Sequence, residues 1–140
     1  MTAVTLVRTS DDDELGEFAI DVVRADGQET VRVRGELDIA TAPLLRAALE
    51  GVYARRPVRV EVDLSEVTFL DASSLAGLIA ARRRLAAQRA VLVLVDPSPI
   101  VRRVLDITGL DRMTDVRTPA DRTGPQRSPR RLPVRCMRPA

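Results

Sequence analysis

The chain has 140 residues, 45% of them apolar, and a formal net charge of +2 at neutral pH. It contains no histidine and one cysteine, Cys136, which excludes a histidine-based triad, an imidazole metal site and an internal disulfide. With no Trp, one Tyr and two Phe, the core must be almost wholly aliphatic. No apolar run approaches the roughly 20 residues of a membrane span, and no signal-peptide pattern begins the chain, so we expect a cytoplasmic protein without membrane contact.

The charge is unevenly distributed along the chain. Residues 117–140 combine five prolines with seven arginines, and their net charge of +6 leaves −4 for the remainder. This composition predicts a disordered tail, either an appendage that adds solubility or an electrostatic contact to nucleic acid or an acidic protein. No base-reading motif or aromatic residue accompanies these arginines, so direct DNA binding is not expected. Residues 1–16 contain the acidic run Asp11–Glu14 and are predicted to be a flexible lead, which leaves 17–116 as the folded domain.

The first elements of this domain are predicted to be a β-hairpin and a helix. Apolar residues recur at every second position around the turn signal Asp26-Gly27: Phe18, Ile20 and Val22, then Val31, Val33 and Leu37. A helical pattern follows, with Thr41 as its cap and Pro43 in its first turn. Its apolar face contains Leu44, Leu45, Ala48, Leu49 and Val52.

The second half alternates strands with helices. An alternating strand, Val58–Leu64, precedes a helix with Leu75, Leu78 and Leu85 on one face, and the apolar run Val91–Val95 predicts a strand covered on both faces. Ser98-Pro99 begins a third helix that Gly109 ends, and a short strand is predicted near Thr114–Val116. The order predicts an α/β fold: a mixed, mostly parallel sheet flanked by helices, with an opening antiparallel hairpin.

The candidate site lies where the Val58–Leu64 strand passes through a loop into the second helix. Asp71, Ser73 and Ser74 occupy the N-terminus of that helix, where free N–H groups and the helix dipole stabilise negative charge, including that of a phosphate. A purely structural interpretation is also available, because Asp and Ser are ordinary N-cap residues. Asp38 likewise fits either a turn after a strand or a docking surface.

Five short pieces of the sequence resemble the STAS family, in particular bacterial anti-sigma factor antagonists. They occur in order and at fitting separations: Gly35-Glu36-Leu37-Asp38, Asp63-Leu64-Ser65, Phe69-Leu70-Asp71-Ala72-Ser73, Pro97-Ser98-Pro99 and Asp106-Ile107-Thr108-Gly109-Leu110. The resemblance covers roughly residues 17–116, which is nearly all of the predicted domain. It implies a single STAS domain with a role in transcription regulation and the stress response.

The resemblance also implies a binding protein that is not an enzyme and needs no cofactor or metal. Family members bind an anti-sigma factor that is a serine kinase, and so free a sigma factor. Phosphorylation ends that binding, and a serine phosphatase restores it. Ser73 stands at the acceptor position, with Ser74 as a weaker second candidate in a place where glycine is usual. The implied partner-binding residues are Asp38, Thr41, Asp71, Ala72, Ser73, Ser74 and Gly77.

Two other functions remain open at this stage. One is a STAS adaptor or ligand sensor that is not phosphorylated. Catalysis is disfavoured, because the candidate loop contains no nucleophile–base pair, paired carboxylates or metal ligands.

The triplet Arg82-Arg83-Arg84 is either a solvated helix face or a partner contact. The size of the domain predicts a monomer.

Overall fold

The computed structural model describes residues 2–8 and 18–118, apart from the side chains of 2–8 and 113. The strands in these residues form one six-stranded sheet, in the order β1-β2-β3-β4-β5-β6. Their bounds are β1 Thr2–Arg8, β2 Ala19–Ala25, β3 Gln28–Leu37, β4 Arg59–Leu70, β5 Val91–Val95 and β6 Asp115–Arg117. The helices are α1 Ala42–Ala54, α2 Ala72–Ala87, α3 Pro99–Thr108 and the single turn α4 Leu110–Met113.

The sheet is antiparallel at one side and parallel at the other. β1 pairs with β2 and β2 with β3 in antiparallel fashion, whereas β3, β4, β5 and β6 run parallel to one another. Each parallel connection contains a helix, as a crossover between parallel strands requires. The predicted α/β fold with its opening hairpin is confirmed. Because the last four strands are parallel, their carboxyl ends all lie at one edge of the sheet.

The hairpin between β2 and β3 closes through the predicted turn. Ala25 pairs with Gln28, and the two residues between them both have positive φ, 50° at Asp26 and 82° at Gly27. This is the backbone of a type I′ turn, whose twist matches that of the strands it joins and which favours the Asp-Gly pair.

The prediction of a flexible lead over residues 1–16 is wrong for Thr2–Arg8. This segment forms β1 and pairs with β2 over its whole length, from Thr2 opposite Ala25 to Arg8 opposite Ala19. Its residues are rich in Val and Thr, which favour strands, and β2 offers a free edge for pairing. The acidic run Asp11–Glu14 lies outside the described residues.

The other domain boundary also shifts. Arg117, which the sequence analysis assigned to the tail, is the last residue of β6, the short strand predicted near Thr114–Val116. Its Nη2 donates to Oε1 of Glu61 at 3.1 Å. The folded unit therefore extends at least to residue 117, and residues 119–140 of the predicted tail lie outside the described residues.

β4 is longer than predicted. The sequence pattern ended this strand at Leu64 and placed residues 65–70 in a loop, whereas β4 continues to Leu70. Register shifts between Arg32 and Arg34 and between Gly35 and Glu36 accompany the extension. A bulge changes which face each side chain points to, so the two-residue alternation is lost while pairing continues. Gly35, at φ 104°, adopts a backbone conformation that only glycine takes without strain.

The core is aliphatic, as the composition required. Its largest fully buried side chains include Ile20, Leu37, Leu64, Leu78, Leu85 and Leu94. α1 packs beside α2, α2 contacts β5, and α3 contacts β4. No helix in the described part of the chain is long and apolar enough to cross a membrane.

The start of α3 is tied to β4 rather than capped by its serine. Ser98 holds the N-cap position with Pro99 directly after it, as predicted, but its hydroxyl makes no capping hydrogen bond. Instead Oγ donates to the Val67 carbonyl at 2.6 Å, and the Ser98 N–H donates to the Leu64 carbonyl at 3.2 Å. α3 ends at Gly109 in the left-handed conformation, also as predicted.

Candidate functional site

Asp71 is the N-cap of α2 and organises the loop that precedes it. Its extended backbone (φ −104°, ψ −179°) places Oδ1 where it accepts the Ser74 N–H at 2.9 Å and the Ser73 hydroxyl at 2.9 Å. The Ser74 N–H, assisted by the Ser73 hydroxyl and opposed by partial burial, lowers the pKa of the Asp71 carboxyl. Asp71 is therefore ionised at neutral pH.

Asp38 and Thr41 form a second hydrogen-bonded loop between β3 and α1. Oδ1 of Asp38 accepts the N–H groups of Ala40 at 3.0 Å and Thr41 at 3.1 Å. The Thr41 hydroxyl donates to the Glu36 carbonyl at 2.7 Å and accepts the Asp38 N–H at 2.9 Å. Thr41 occupies the N-cap position, but its side chain does not cap the helix, which corrects the predicted role. Its hydroxyl holds the loop closed instead.

The sheet brings these two loops together. β3 and β4 are parallel neighbours, and their last residues, Leu37 and Leu70, are paired. The Asp71 N–H donates to the Leu37 carbonyl at 3.1 Å. This hydrogen bond joins the N-cap of α2 to the residue that directly precedes Asp38. On the loop between β3 and α1, the Ile39 side chain is 77% exposed. No sequence pattern singled out Ile39.

The predicted site residues differ in accessibility. Ser73 and Ala72 are exposed, and Asp38 and Asp71 are partly exposed. Thr41 and Ser74 are each only 1% exposed. In this structure, therefore, neither Thr41 nor Ser74 offers surface for direct partner contact, which corrects their predicted place in the partner-binding surface. Both residues lie beneath the surface of the two loops.

Gly77 leaves the surface above Ser73 open. Side chains on a helix point toward its N-terminus, so a side chain at 77 would cover residue 73, one turn earlier. A Cβ added at Gly77 would meet nothing within 4 Å, and the glycine does not have positive φ. Glycine inside a helix costs about 1 kcal/mol relative to alanine. The internal packing of the domain does not require a glycine at this position. The effect of Gly77 is therefore to keep the surface beside Ser73 open.

A groove of about 500 Å³ runs between α1 and α2. Both helices begin at the same edge of the sheet, so the groove starts at Ser73 and Ser74 and extends toward the helix C-termini. Leu45, Leu49 and Tyr53 of α1 line one side, and Gly77 and Ala80 line the other. The buried Ser74 lines this groove, and its hydroxyl makes no well-formed hydrogen bond among the described residues, although it is near enough to Asp71 to help lower the pKa of that carboxyl. The groove depends on how two helices pack, so no local sequence pattern predicts it.

The charged residues along the groove are mainly arginines. Arg46, Arg83 and Arg84 line it together with one acid, Glu50. Arg84 is engaged by both a carboxylate and an aromatic ring: Nη1 lies 3.5 Å from Oε2 of Glu50, and Cζ lies 4.5 Å from the centre of the Tyr53 ring. Burial raises the pKa of the Tyr53 hydroxyl, opposed by Arg84. The Arg82-Arg83-Arg84 triplet is thus divided, since the second and third members line the groove and Arg82 does not.

A second aspartate–serine pair lies on β4. The Ser65 hydroxyl donates to Oδ1 of Asp63 at 2.7 Å, much as Ser73 donates to Asp71. Ser65 is also exposed, but it lies in a strand and does not line the groove. It therefore offers a matched control for Ser73. Within residues 2–8 and 18–118, no group of three or more His, Cys, Asp or Glu side chains is arranged to hold a metal ion.

Comparison with known proteins assigns this architecture to a family. A family model described as "Mlab, STAS domain" matches residues 20–116. An anti-sigma-B factor antagonist of Listeria monocytogenes is 32% identical over 85 residues, which are 61% of this chain and 75% of that protein. The anti-sigma-F factor antagonist RsfB of Mycobacterium tuberculosis is 30% identical over 95 residues, which are 68% of this chain and 77% of RsfB.

A solved structure agrees with these matches. The crystal structure of an anti-sigma factor antagonist from Mycobacterium paratuberculosis has a TM-score of 0.64 and 31% identity, covering 84% of this chain and 86% of that one. The architecture is that of a STAS domain. The chain belongs to the STAS-domain family of anti-sigma factor antagonists, which confirms the resemblance identified from the five sequence pieces.

Proposed function

We propose that this protein is a phosphorylation-controlled anti-sigma factor antagonist. In its unphosphorylated form it binds an anti-sigma factor that is also a serine kinase, and so releases a sigma factor. Phosphorylation of Ser73 ends the binding, and a serine phosphatase restores it. The domain itself binds no cofactor, has no catalytic residues and acts in the cytoplasm as a monomer.

The exposed Ser73 hydroxyl at the start of α2, hydrogen-bonded to Asp71, is the observation that carries this proposal. Phosphorylation would form a bond between Oγ and the γ-phosphorus of ATP, break the bond from that phosphorus to ADP, and release the hydroxyl proton. Asp71 orients Oγ, but its lowered pKa makes it a poor proton acceptor, so the general base belongs to the kinase. Ser74 is a poor alternative acceptor because it is buried.

The docking surface of the proposed complex comprises the exposed residues around the two joined loops. Asp38 and Ile39 lie on one loop, and Ala72 and Ser73 begin α2 on the other. Gly77 leaves room for the partner to approach Ser73. A phosphate on Ser73 would add about −1.5 to −2 charges to this surface and weaken binding by repulsion and desolvation.

Mass spectrometry with ATP and the candidate anti-sigma kinase tests the proposal. One phosphate is expected on the wild type, located at Ser73 by fragmentation, and none on Ser73→Ala. Ser74→Ala and Ser65→Ala are matched controls and should be phosphorylated like the wild type. In a binding assay, Ser73→Ala should bind the anti-sigma factor whether or not ATP is present, whereas Ser73→Asp should bind poorly. Equal binding by both variants would refute the switch.

The alternative is a STAS adaptor or ligand-sensing module that is not phosphorylated. The groove between α1 and α2 supports it, since about 500 Å³ lies within the size range of small-molecule sites. If a kinase that phosphorylates another antagonist leaves this protein unmodified, the alternative is favoured. Ser73 then has only a structural role, as the residue that donates a hydrogen bond to the N-cap Asp71.

A further inference from the structure

We propose that the phosphate of phosphorylated Ser73 is held within this protein by Arg46, at the start of the groove between α1 and α2. This inference rests on the proposed phosphorylation of Ser73 and extends it to the phosphorylated state. It makes the modification an internal contact between α2 and α1 as well as a change of surface charge.

The Asp71 carboxylate already occupies part of the N-terminus of α2 and opposes a phosphate there. A helix N-terminus ordinarily attracts anions, and the sequence alone suggested that a phosphate on Ser73 would benefit from it. In the structure, however, Asp71 already accepts the Ser74 N–H at 2.9 Å and carries a full negative charge at neutral pH. Oγ of Ser73 is itself 2.9 Å from Oδ1 of Asp71. A phosphate on Oγ would be repelled by that carboxylate and must turn away from it.

The groove offers the phosphate space and a hydrogen-bond donor. Ser73, in the first turn of α2, lines the groove, and Gly77 places no side chain over Ser73. Ser74 lines the same end of the groove, and its buried hydroxyl makes no well-formed hydrogen bond among the described residues, only a looser contact with Asp71. A buried hydroxyl without a well-formed hydrogen bond is costly, so an acceptor oxygen that reached it would satisfy it.

Arg46 is the groove arginine placed to neutralise the phosphate. It lies on α1 one turn after Ala42, and Ala42 lines the groove together with Ser73 and Ser74. Long helical side chains extend back over the preceding turn, which directs the Arg46 guanidinium toward that end of the groove. Arg46 is exposed and makes no ion pair within the described residues, so it is free to turn toward a new anion.

The remaining charged residues of the groove are less suitable. Arg83 lies ten residues after Ser73 on the same helix, roughly 15 Å farther along its axis. Arg84 lies farther still and is engaged by Glu50 and Tyr53. Glu50 itself lies one turn beyond Arg46, and its carboxylate is directed to Arg84. Arg46 and Arg83 thus form a matched pair, since they carry the same charge, are similarly exposed and line the same groove at different distances from Ser73.

The test uses full-length protein with phosphoserine inserted at position 73 during translation, and needs no kinase. Phosphorus-31 NMR over a pH series gives the second pKa of the phosphate. In Arg46→Gln this pKa should rise by about 0.5 unit, because a nearby cation favours the dianion. In Arg83→Gln it should stay within about 0.1 unit of the parent value, because Arg83 lies roughly 15 Å farther along the helix axis than Ser73 and solvent screens charges over such distances. Arg46→Lys should recover part of the shift.

Equal shifts in Arg46→Gln and Arg83→Gln, or no shift in either, would overturn the inference. The unphosphorylated variants should melt at the wild-type temperature, which separates a lost phosphate contact from a damaged fold. Ser74→Ala in the phosphorylated protein should raise the pKa by less than Arg46→Gln does. Because the phosphoserine is inserted directly, failure of any kinase to modify Ser73 would refute the proposed function without affecting this result, and the converse also holds.

Discussion

The Asp71 carboxylate has two roles at the scale of a single residue, since it caps α2 and orients the Ser73 hydroxyl. One oxygen, Oδ1, accepts both hydrogen bonds, so the helix terminus and the candidate acceptor are fixed together. Asp63 and Ser65 repeat the aspartate–serine contact within a strand, without a helix to cap. The distinguishing feature of Ser73 is therefore its place at the start of α2 and of the groove.

The first prediction concerns the charge of Asp71. Its pKa is lowered in the folded protein, so the ionised form stabilises the fold above the unfolded-state pKa of about 3.9, and this stabilisation is lost as pH falls through the lower folded-state value. Asparagine keeps the cap but not the charge. We expect chemical denaturation to show wild type more stable than Asp71→Asn at pH 7, with the difference shrinking below about pH 4. A difference that is constant over this range would contradict a role for the charge.

The second prediction concerns Gly77. Gly77→Ala should raise the free energy of unfolding by about 0.5–1 kcal/mol, since the added Cβ meets no atom within 4 Å. Gly77→Leu should fold but cover Ser73, and so slow its phosphorylation and weaken partner binding. Ala86→Leu is the control, at an exposed α2 position that does not line the groove. Unchanged phosphorylation kinetics in Gly77→Leu would show that the open surface is not used.

At the scale of elements, an ion pair between a buried glutamate and an exposed arginine connects α1 to the sheet. Glu29 of β3 is 4% exposed, and its carboxylate accepts Nε and Nη2 of Arg55 at 2.8 and 2.7 Å. Arg55 is the C-cap residue of α1, and the hydrogen bond to Glu29 raises the pKa of its guanidinium. This bidentate contact holds the C-terminal end of α1, at the opposite end of the helix from the Asp38–Thr41 loop.

The third prediction is that Arg55→Met destabilises the protein by about 2–4 kcal/mol, because it leaves the Glu29 carboxylate buried without its cation. Arg46→Met, at an exposed arginine of the same helix, should change stability by less than about 0.5 kcal/mol. Urea denaturation at pH 7 measures both values. Adding Glu29→Met to Arg55→Met should recover part of the loss, and its failure to do so would indicate that packing of the arginine stem is the main contribution.

At the scale of the whole molecule, the sheet places antiparallel pairing at one side and the functional loops at the end of the parallel strands. β3 belongs to both regions, since it pairs antiparallel with β2 and parallel with β4. β1 extends the sheet on the antiparallel side and protects the edge of β2. The β2 edge that β1 covers is distant in sequence from Ser73. The effect of removing β1 on stability can therefore be measured separately from its effect on phosphorylation of Ser73.

The fourth prediction concerns β1. A chain lacking residues 1–8 should unfold at lower denaturant concentration and self-associate more readily, because the N–H and C=O groups of the β2 edge lose their partners. A chain lacking residues 125–140 is the control and should unfold like the full chain. Sedimentation and denaturation measure the two effects. Identical behaviour of the two truncated chains would show that β1 pairing does not contribute to the stability of the domain.

Much of the fold follows from local patterns in the sequence. The Asp26-Gly27 turn, the hairpin strands, the continuous apolar run of β5 and the end of α3 at Gly109 each depend on a few adjacent residues. Two strands were not predicted from local patterns. β1 lies close in sequence to the acidic run Asp11–Glu14, which indicated a flexible segment, and the second half of β4 lacks strict alternation. Both are strands because a neighbouring strand supplies their hydrogen bonds, which no local pattern reports.

For the candidate site, the sequence by itself determined which residues are present and where they lie on the elements: Asp71 and Ser73 at the start of a helix, Asp38 after a strand. Only the tertiary structure decided which of them are accessible, since burial of Thr41 and Ser74 depends on packing against distant parts of the chain. It also decided that Arg46 and Ser73, 27 positions apart in the sequence, line one groove. Parallel pairing of β3 with β4 is the physical reason, because it starts α1 and α2 at the same edge of the sheet and lays them side by side.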